Sequence, residues 1–206
     1  MTPAPSDRLA EVTTDSQEVY KGRLLHAFSD TVRLPDGREA QREYVVHPGA
    51  VLVIAFLEQA GEQLPLLVLE RQFRYPMKRV MIEFPAGKLE PGEDRWACAR
   101  RELQEETGYT AREWALAGVI HPVISYSTEF IEIWFARGLT AGPRRLDDGE
   151  FLDVFTATVS ELTAWCRDGQ VTDAKTVAGM LWLQNVLSGA WPLNWQTPDA
   201  PVDSCR

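Results

Sequence analysis

The chain has 206 residues, 45% of them hydrophobic and seven of them Trp, which is enough for one compact domain with a small extension. A net charge of −9, with no Lys/Arg cluster to outweigh it, argues against a nucleic-acid-binding surface. No apolar run approaches the roughly 18 residues of a membrane span, and Cys98, Cys166 and Cys205 are too widely spaced for a disulfide framework or a metal-ligand pair; the expectation is a cytoplasmic protein that binds neither membrane nor nucleic acid.

Residues 1–16, rich in Pro, Ser and Thr, are expected to be disordered. Residues 17–47 read as an N-terminal β extension of two or three strands, with Pro35-Asp36-Gly37 as a turn. The main domain, 48–190, opens on a buried strand at 51–56, followed by a turn at 59–63 and a partner strand at 66–69. Another strand, 80–84, leads into a Gly-rich turn and then a helix on which Trp96, Ala99 and Leu103 fall at the spacing of one face. Gly108 suits a left-handed cap at the end of that helix. Strands at 114–121 and 130–136 flank a polar loop, and helices follow at 159–168 and 173–187, the second capped by Thr172 or Asp173. The tail, 191–206, is expected to be flexible and loosely attached.

The helix after the Gly-rich turn carries Glu102, Glu105 and Glu106 at i, i+3 and i+4, on one sector and apart from the apolar face. Each like-charged i,i+4 pair costs about 0.2–0.5 kcal/mol, and acids at a helix C-terminus also oppose the macrodipole. A solvated acidic helix end is the bland reading. A hard divalent cation, which takes oxygen ligands, is the compensating one.

The spacing supports the second reading. Gly87, Glu93, Arg101, Glu102, Leu103, Glu105, Glu106, Gly108 and Tyr109 fill every defined slot of G-x5-E-x7-R-E-U-x-E-E-x-G-U, where U is bulky and apolar. The chain therefore resembles the Nudix hydrolases. The resemblance implies an α/β/α sandwich with a mixed sheet, and Mg²⁺- or Mn²⁺-dependent cleavage of a nucleoside diphosphate linked to another moiety. It assigns the metal to Glu102, Glu105 and Glu106 with the carbonyl of Ala86. It also pairs Glu93 with Arg101 to fix the loop on the helix, leaving Gly87 and Gly108 as structural members of the motif.

The base that activates water is less local. The resemblance points to Glu129, in a loop where Thr128 stands in place of the common Asp, with Glu105 as the candidate inside the motif. Glu132 is the fallback, although Ile131, Ile133 and Phe135 would face inward on its strand and turn Glu132 outward.

Residues 42–50, 70–76 and 169–176 look like the ADP-ribose pyrophosphatase branch. There, Arg42, Arg71 and Arg74 are candidates to bind phosphate or stack on adenine. Phe28 and Tyr75 are possible stacking partners, and Glu83 is placed either at the adenine or ribose or in a structural role. The branch implies a homodimer in which residues 17–47 complete the partner's pocket. The expected reaction is hydrolysis of ADP-ribose to AMP and ribose 5-phosphate. The alternatives are another nucleoside diphosphate sugar such as GDP-mannose, or a ligand sensor that no longer hydrolyses.

Overall fold

In a computed structural model that describes residues 7–198, the chain divides into two units: Met1–Gly49 with Val123–Phe130, and Ala50–Pro122 with the chain from Ile131 onward. The first unit is an antiparallel sheet of β1 (Val12–Lys21), β2 (His26–Arg33) and β3 (Glu39–Val46) in that order. The turn between β2 and β3 falls at Pro35-Asp36-Gly37, where the Arg38 amide donates to Asp36 Oδ1 at 3.1 Å and Gly37 takes a positive φ of 87°. β1 begins at Val12, inside the stretch expected to be disordered; of that stretch, residues 1–6 lie outside the described residues. Val12, Thr13, Thr14, Val19 and Tyr20 give β1 its β propensity, and pairing with β2 from Val12↔Arg33 to Lys21↔His26 holds it, although all ten of its residues are exposed.

Residues 123–130 are stitched to this sheet. Ser127 forms a parallel bridge with Val45, the Val45 amide donates to the Tyr126 carbonyl at 2.9 Å, and the Thr128 amide donates to the Val45 carbonyl at 3.0 Å. Gly49 carries a φ of 96°, and a Cβ there would stand 2.3 Å from the Phe130 ring.

The second unit contains β4 (Ala50–Leu57), β5 (Leu66–Arg74), β6 (Arg79–Glu83), β7 (Ala86–Lys88), α1 (Arg95–Thr107), β8 (Tyr109–Ile120), β9 (Ile131–Ala141), β10 (Leu152–Ala157), α2 (Val159–Arg167) and α3 (Ala174–Leu187). Its mixed sheet runs β10-β5-β4-β9-β8, with β6 on β5 and β7 on β4. β4 and β9 are parallel, and the other pairs are antiparallel. Both faces of β4 are buried, which is why its sequence is a continuous apolar run rather than an alternation. Val51, Val53 and Ala55 pack with Cys98, Ala99 and Leu103 of α1, while Leu52, Ile54 and Phe56 pack with Leu162 of α2 and with Met180 and Leu183 of α3. This is the expected α/β/α sandwich. Burial of a side chain such as Leu52 or Ile54 contributes about 1.5–3 kcal/mol.

Three details depart from the sequence expectation. Glu132 does not face solvent: both faces of β9 are covered, so the alternate face is interior too, and Glu132 is buried against the Trp134 indole, which donates to it at 3.1 Å. β10 has no counterpart in the sequence reading, because it is short, includes the strand-disfavouring Asp153, and takes its order from pairing with distant β5. The described part of the tail is attached: Trp114 and Gln196 exchange backbone hydrogen bonds of 2.8 Å, and the Arg137 guanidinium lies 4.0 Å over the Trp195 ring.

Candidate active site

α1 is delimited by local chemistry. The Asp94 side chain caps its N-terminus by accepting from the Ala97 amide at 3.0 Å, and Gly108 ends it at φ 77°. Only Gly fits at that end, because a Cβ on Gly108 would come within 2.6 Å of the Gly142 carbonyl oxygen. Between the caps, Glu102 and Glu106 are buried one turn apart and Glu105 is partly exposed.

Arg101 ties the loop to this helix. It donates through Nε and Nη2 to the two Glu93 oxygens at 2.8 Å each, through Nη1 to Glu102 at 2.8 Å and Glu105 at 3.0 Å, and through Nη2 to the Lys88 carbonyl at 3.2 Å. Hydrogen bonds from Arg101 hold the Glu93 carboxyl down at about 2. Glu106 accepts from the Ala86 amide at 3.0 Å, and the backbone at Gly87 runs so close to α1 that a Cβ there would stand 1.9 Å from the Glu102 carboxyl. Burial raises Glu102 to about 7 against the opposing charge of Arg101. Burial, followed by the charges of Glu70, Glu102 and Glu150, also raises Glu106 well above the carboxylate range.

A second group of charges lies on the β5–β6 ribbon. Arg74 grips Glu83 with two hydrogen bonds of 2.7 Å; Lys175, from the start of α3, donates to Glu83 and, at 3.0 Å, to Asp173, the N-cap of α3. Burial pushes Glu83 up, but the hydrogen bonds and charges of Arg74 and Lys175 outweigh it and hold the carboxyl low. Glu70, paired across the ribbon with Glu83, is completely buried, and neither of its oxygens has a hydrogen-bond partner among the described residues. Its pKa is raised by burial and then by the Glu83 charge.

These acids fit a hard divalent cation in their donor chemistry, all carboxylate oxygen, and the buried Glu70 oxygens, without hydrogen-bond partners among the described residues, have acceptor capacity to spare. Among the described residues no three His, Cys, Asp or Glu side chains stand together as a ready ligand set. Glu102 and Glu105 are engaged by Arg101, and Glu106 by the Ala86 amide.

The structure thus gathers Arg74, Glu83, Ala86, Gly87, Glu93, Arg101, Glu102, Glu105 and Glu106 in one unit. Arg71 belongs to the same strand as Arg74 but to its opposite face, with its guanidinium 3.7 Å over the Phe155 ring. Tyr75 is exposed under the Lys78 ammonium. Phe28, Arg42 and Glu129 belong to the first unit. Phe28 stacks on Tyr44 at 5.7 Å, and Arg42 donates to the two Glu11 oxygens at 2.6 and 2.8 Å. Glu129 lies 3.9 Å from His47 Nδ1, and its amide donates to Ser127 Oγ at 3.1 Å. Glu70, Glu150 and Lys175 are not singled out as site residues by the sequence. For Glu70 a signal existed: alternation puts positions 70, 72 and 74 on one face of β5, so Glu70 travels with Arg74.

A family model described as the NUDIX domain matches residues 46–179, and one described as the nucleoside diphosphate sugar hydrolase N-terminal domain matches residues 11–45. The chain is 34% identical over 178 residues to an ADP-ribose pyrophosphatase of Bacillus subtilis, covering 85% of this chain and 94% of the relative. It is 36% identical to a methanol dehydrogenase activator of Bacillus methanolicus, covering 84% and 92%. With an ADP-sugar pyrophosphatase of Mus musculus it shares 37% identity, covering 73% and 75%. A solved structure of an ADP compounds hydrolase superposes with a TM-score of 0.77 at 21% identity, covering 88% of this chain and 97% of that one.

Proposed function

Because the chain belongs to the Nudix hydrolase family, whose members generally use divalent cations, we propose that it hydrolyses the pyrophosphate of ADP-ribose, with Mg²⁺ or Mn²⁺, to AMP and ribose 5-phosphate. The observation that carries this reading is the buried pair Glu102 and Glu106 on the last turns of α1, packed against the backbone at Ala86 and Gly87. Glu102, Glu105 and Glu106, with the carbonyl of Ala86, would hold the cation. When bound, it supplies charge neutralisation and Lewis acidity at the phosphoryl oxygens.

The chain's own groups do the rest. Arg101, fixed by Glu93, orients Glu102 and Glu105. Arg74, fixed by Glu83, offers the unbonded part of its guanidinium to a phosphate. Glu129 takes the proton of the attacking water, with Glu105 as the alternative inside the motif. In the homodimer, residues 17–47 of one protomer complete the partner's pocket, where Phe28 and Arg42 receive the nucleoside; the pair of Arg42 with exposed Glu11 is worth about 1 kcal/mol or less and yields readily. Cys98 and Cys166 are unpaired thiols, which suits a reducing compartment such as the cytoplasm.

Turnover of a panel of nucleoside diphosphate compounds, with Mg²⁺ and with chelator, tests the reading. ADP-ribose is expected to lead by at least about tenfold in kcat/KM, some 1.4 kcal/mol of transition-state binding. A lead for a different ADP-sugar, the second reading favoured by the mouse relative, would keep the chemistry and change the sugar. No turnover with metal present would overturn the enzymatic reading.

The active form is a homodimer built through β1. This strand is an edge with no partner on its outer side among the described residues, and it exposes Val12, Val19 and Tyr20. Sedimentation at micromolar concentration is expected to give twice the mass of the 23.2 kDa chain, and a monomeric mass would reject the assignment.

A further inference from the structure

We propose that Glu70 is a further member of the cation site, forming with Glu106 a buried pair of carboxylates that a divalent cation neutralises. The inference rests on the metal-dependent reading of the same site.

Three placements carry it. Along β5, Val68 packs into the cluster formed by Cys98, Ala99 and Leu103 of α1, and Glu70, two residues on, projects from the same face. Along α1, Glu106 lies one turn beyond Leu103 of the same cluster, within reach of the Glu70 charge. Across the ribbon, Glu70 stands directly opposite Glu83, an arrangement that disfavours two like charges.

The local cations act on Glu70 only at a distance, without a hydrogen bond to it. Arg74 and Lys175 are bonded to Glu83, and Arg101 is bonded to Glu93, Glu102 and Glu105. Glu70 is fully buried, and both of its oxygens lack a hydrogen-bond partner among the described residues. A buried carboxylate that is neither paired nor hydrogen-bonded is strongly unfavourable. A divalent cation shared with Glu106, directly or through one of its waters, supplies the missing charge, because hard cations of this kind keep part of their hydration shell and accept carboxylates around it. Glu70 thereby helps set how tightly the cation is held.

The test measures metal binding apart from turnover. Mn²⁺ is titrated into wild type, Glu70→Gln and Glu70→Met, with calorimetry and the metal-induced rise in Tm as readouts and circular dichroism as the check on folding. Wild type is expected to bind Mn²⁺ and gain stability with it. Both variants are expected to bind it about 10–100-fold more weakly and to gain correspondingly less Tm, while melting higher than wild type in chelator. Folded variants that match the wild-type affinity overturn the role of Glu70 and leave the metal-dependent reading standing. If wild type itself binds no Mn²⁺, the underlying reading falls, and the inference falls with it. Should Glu70→Gln not fold, Glu70→Met, which fills the site without a polar group, decides the question.

Discussion

Replacing Glu106 with Gln is expected to lower kcat/KM for ADP-ribose by about a thousandfold or more in the presence of Mg²⁺, some 4 kcal/mol of barrier, while leaving the protein folded. The Gln side-chain oxygen can still accept from the Ala86 amide, which Glu106 meets at 3.0 Å, so the helix keeps its contact with β7 and loses only the charge. On the proposed reading, the cation would then be held with one carboxylate charge fewer and would offset the pyrophosphate less well.

Stability in chelator is expected to move the other way. The buried Glu106 carboxyl has a pKa raised above the ordinary 4.5, so the folded state binds a proton that the unfolded state releases. Metal-free wild type should therefore lose stability as pH rises from about 4.5 toward the raised value, and Glu106→Gln should lose less. Steady-state kinetics and melting curves from pH 5 to pH 8 check both parts. Glu129→Gln measured in parallel assigns the base: wild-type turnover in that variant moves the role to Glu105 or elsewhere. A Glu106→Gln enzyme within tenfold of wild type would remove α1 from the chemistry.

The second large effect is structural. Lys175→Met should destabilise the protein by about 3 kcal/mol, because removing one partner of a buried pair leaves the other charge uncompensated. Glu83 is almost completely buried and would keep only Arg74, with Glu70 opposite it. For a chain of this size the Tm should fall by roughly 6–12 °C. Adding Glu83→Gln to Lys175→Met should recover more than half of the loss, since the two positions form one network and do not add independently. Differential scanning calorimetry of the two singles and the double measures the coupling. A Lys175→Met loss below about 0.5 kcal/mol, or strict additivity with Glu83→Gln, would show that the ion network contributes nothing to the fold.

Much of the site was legible in the sequence because its grammar is local. The turn of helix holding Glu102, Glu105 and Glu106 and the left-handed end at Gly108 are both decided within about one helical turn of each residue. The strands of the core announced themselves by apolar runs, as in β4. What escaped depends on pairing at a distance. β10 is ordered by β5, some 80 positions away, as the pairing Leu152↔Gln72 shows. Alternation would turn Glu132 to solvent only if β9 had one wet face, whereas β9 has helices over both. Glu70 opens the segment 70–76, just past the apolar run 66–69. Its importance comes from Glu83 across the ribbon and Glu106 on the helix, neighbours that no local window contains.

The stitching of residues 123–130 to β3 bears on how this protein can be taken apart. The chain leaves the sandwich after β8, borrows backbone partners from Val45 and His47, and only then returns to form β9. The N-terminal sheet is therefore not a detachable module. A trimmed protein starting at Ala50 would keep every strand and helix of the sandwich, yet the loop bearing Glu129 would have lost the backbone partners at Val45 and His47 that hold it.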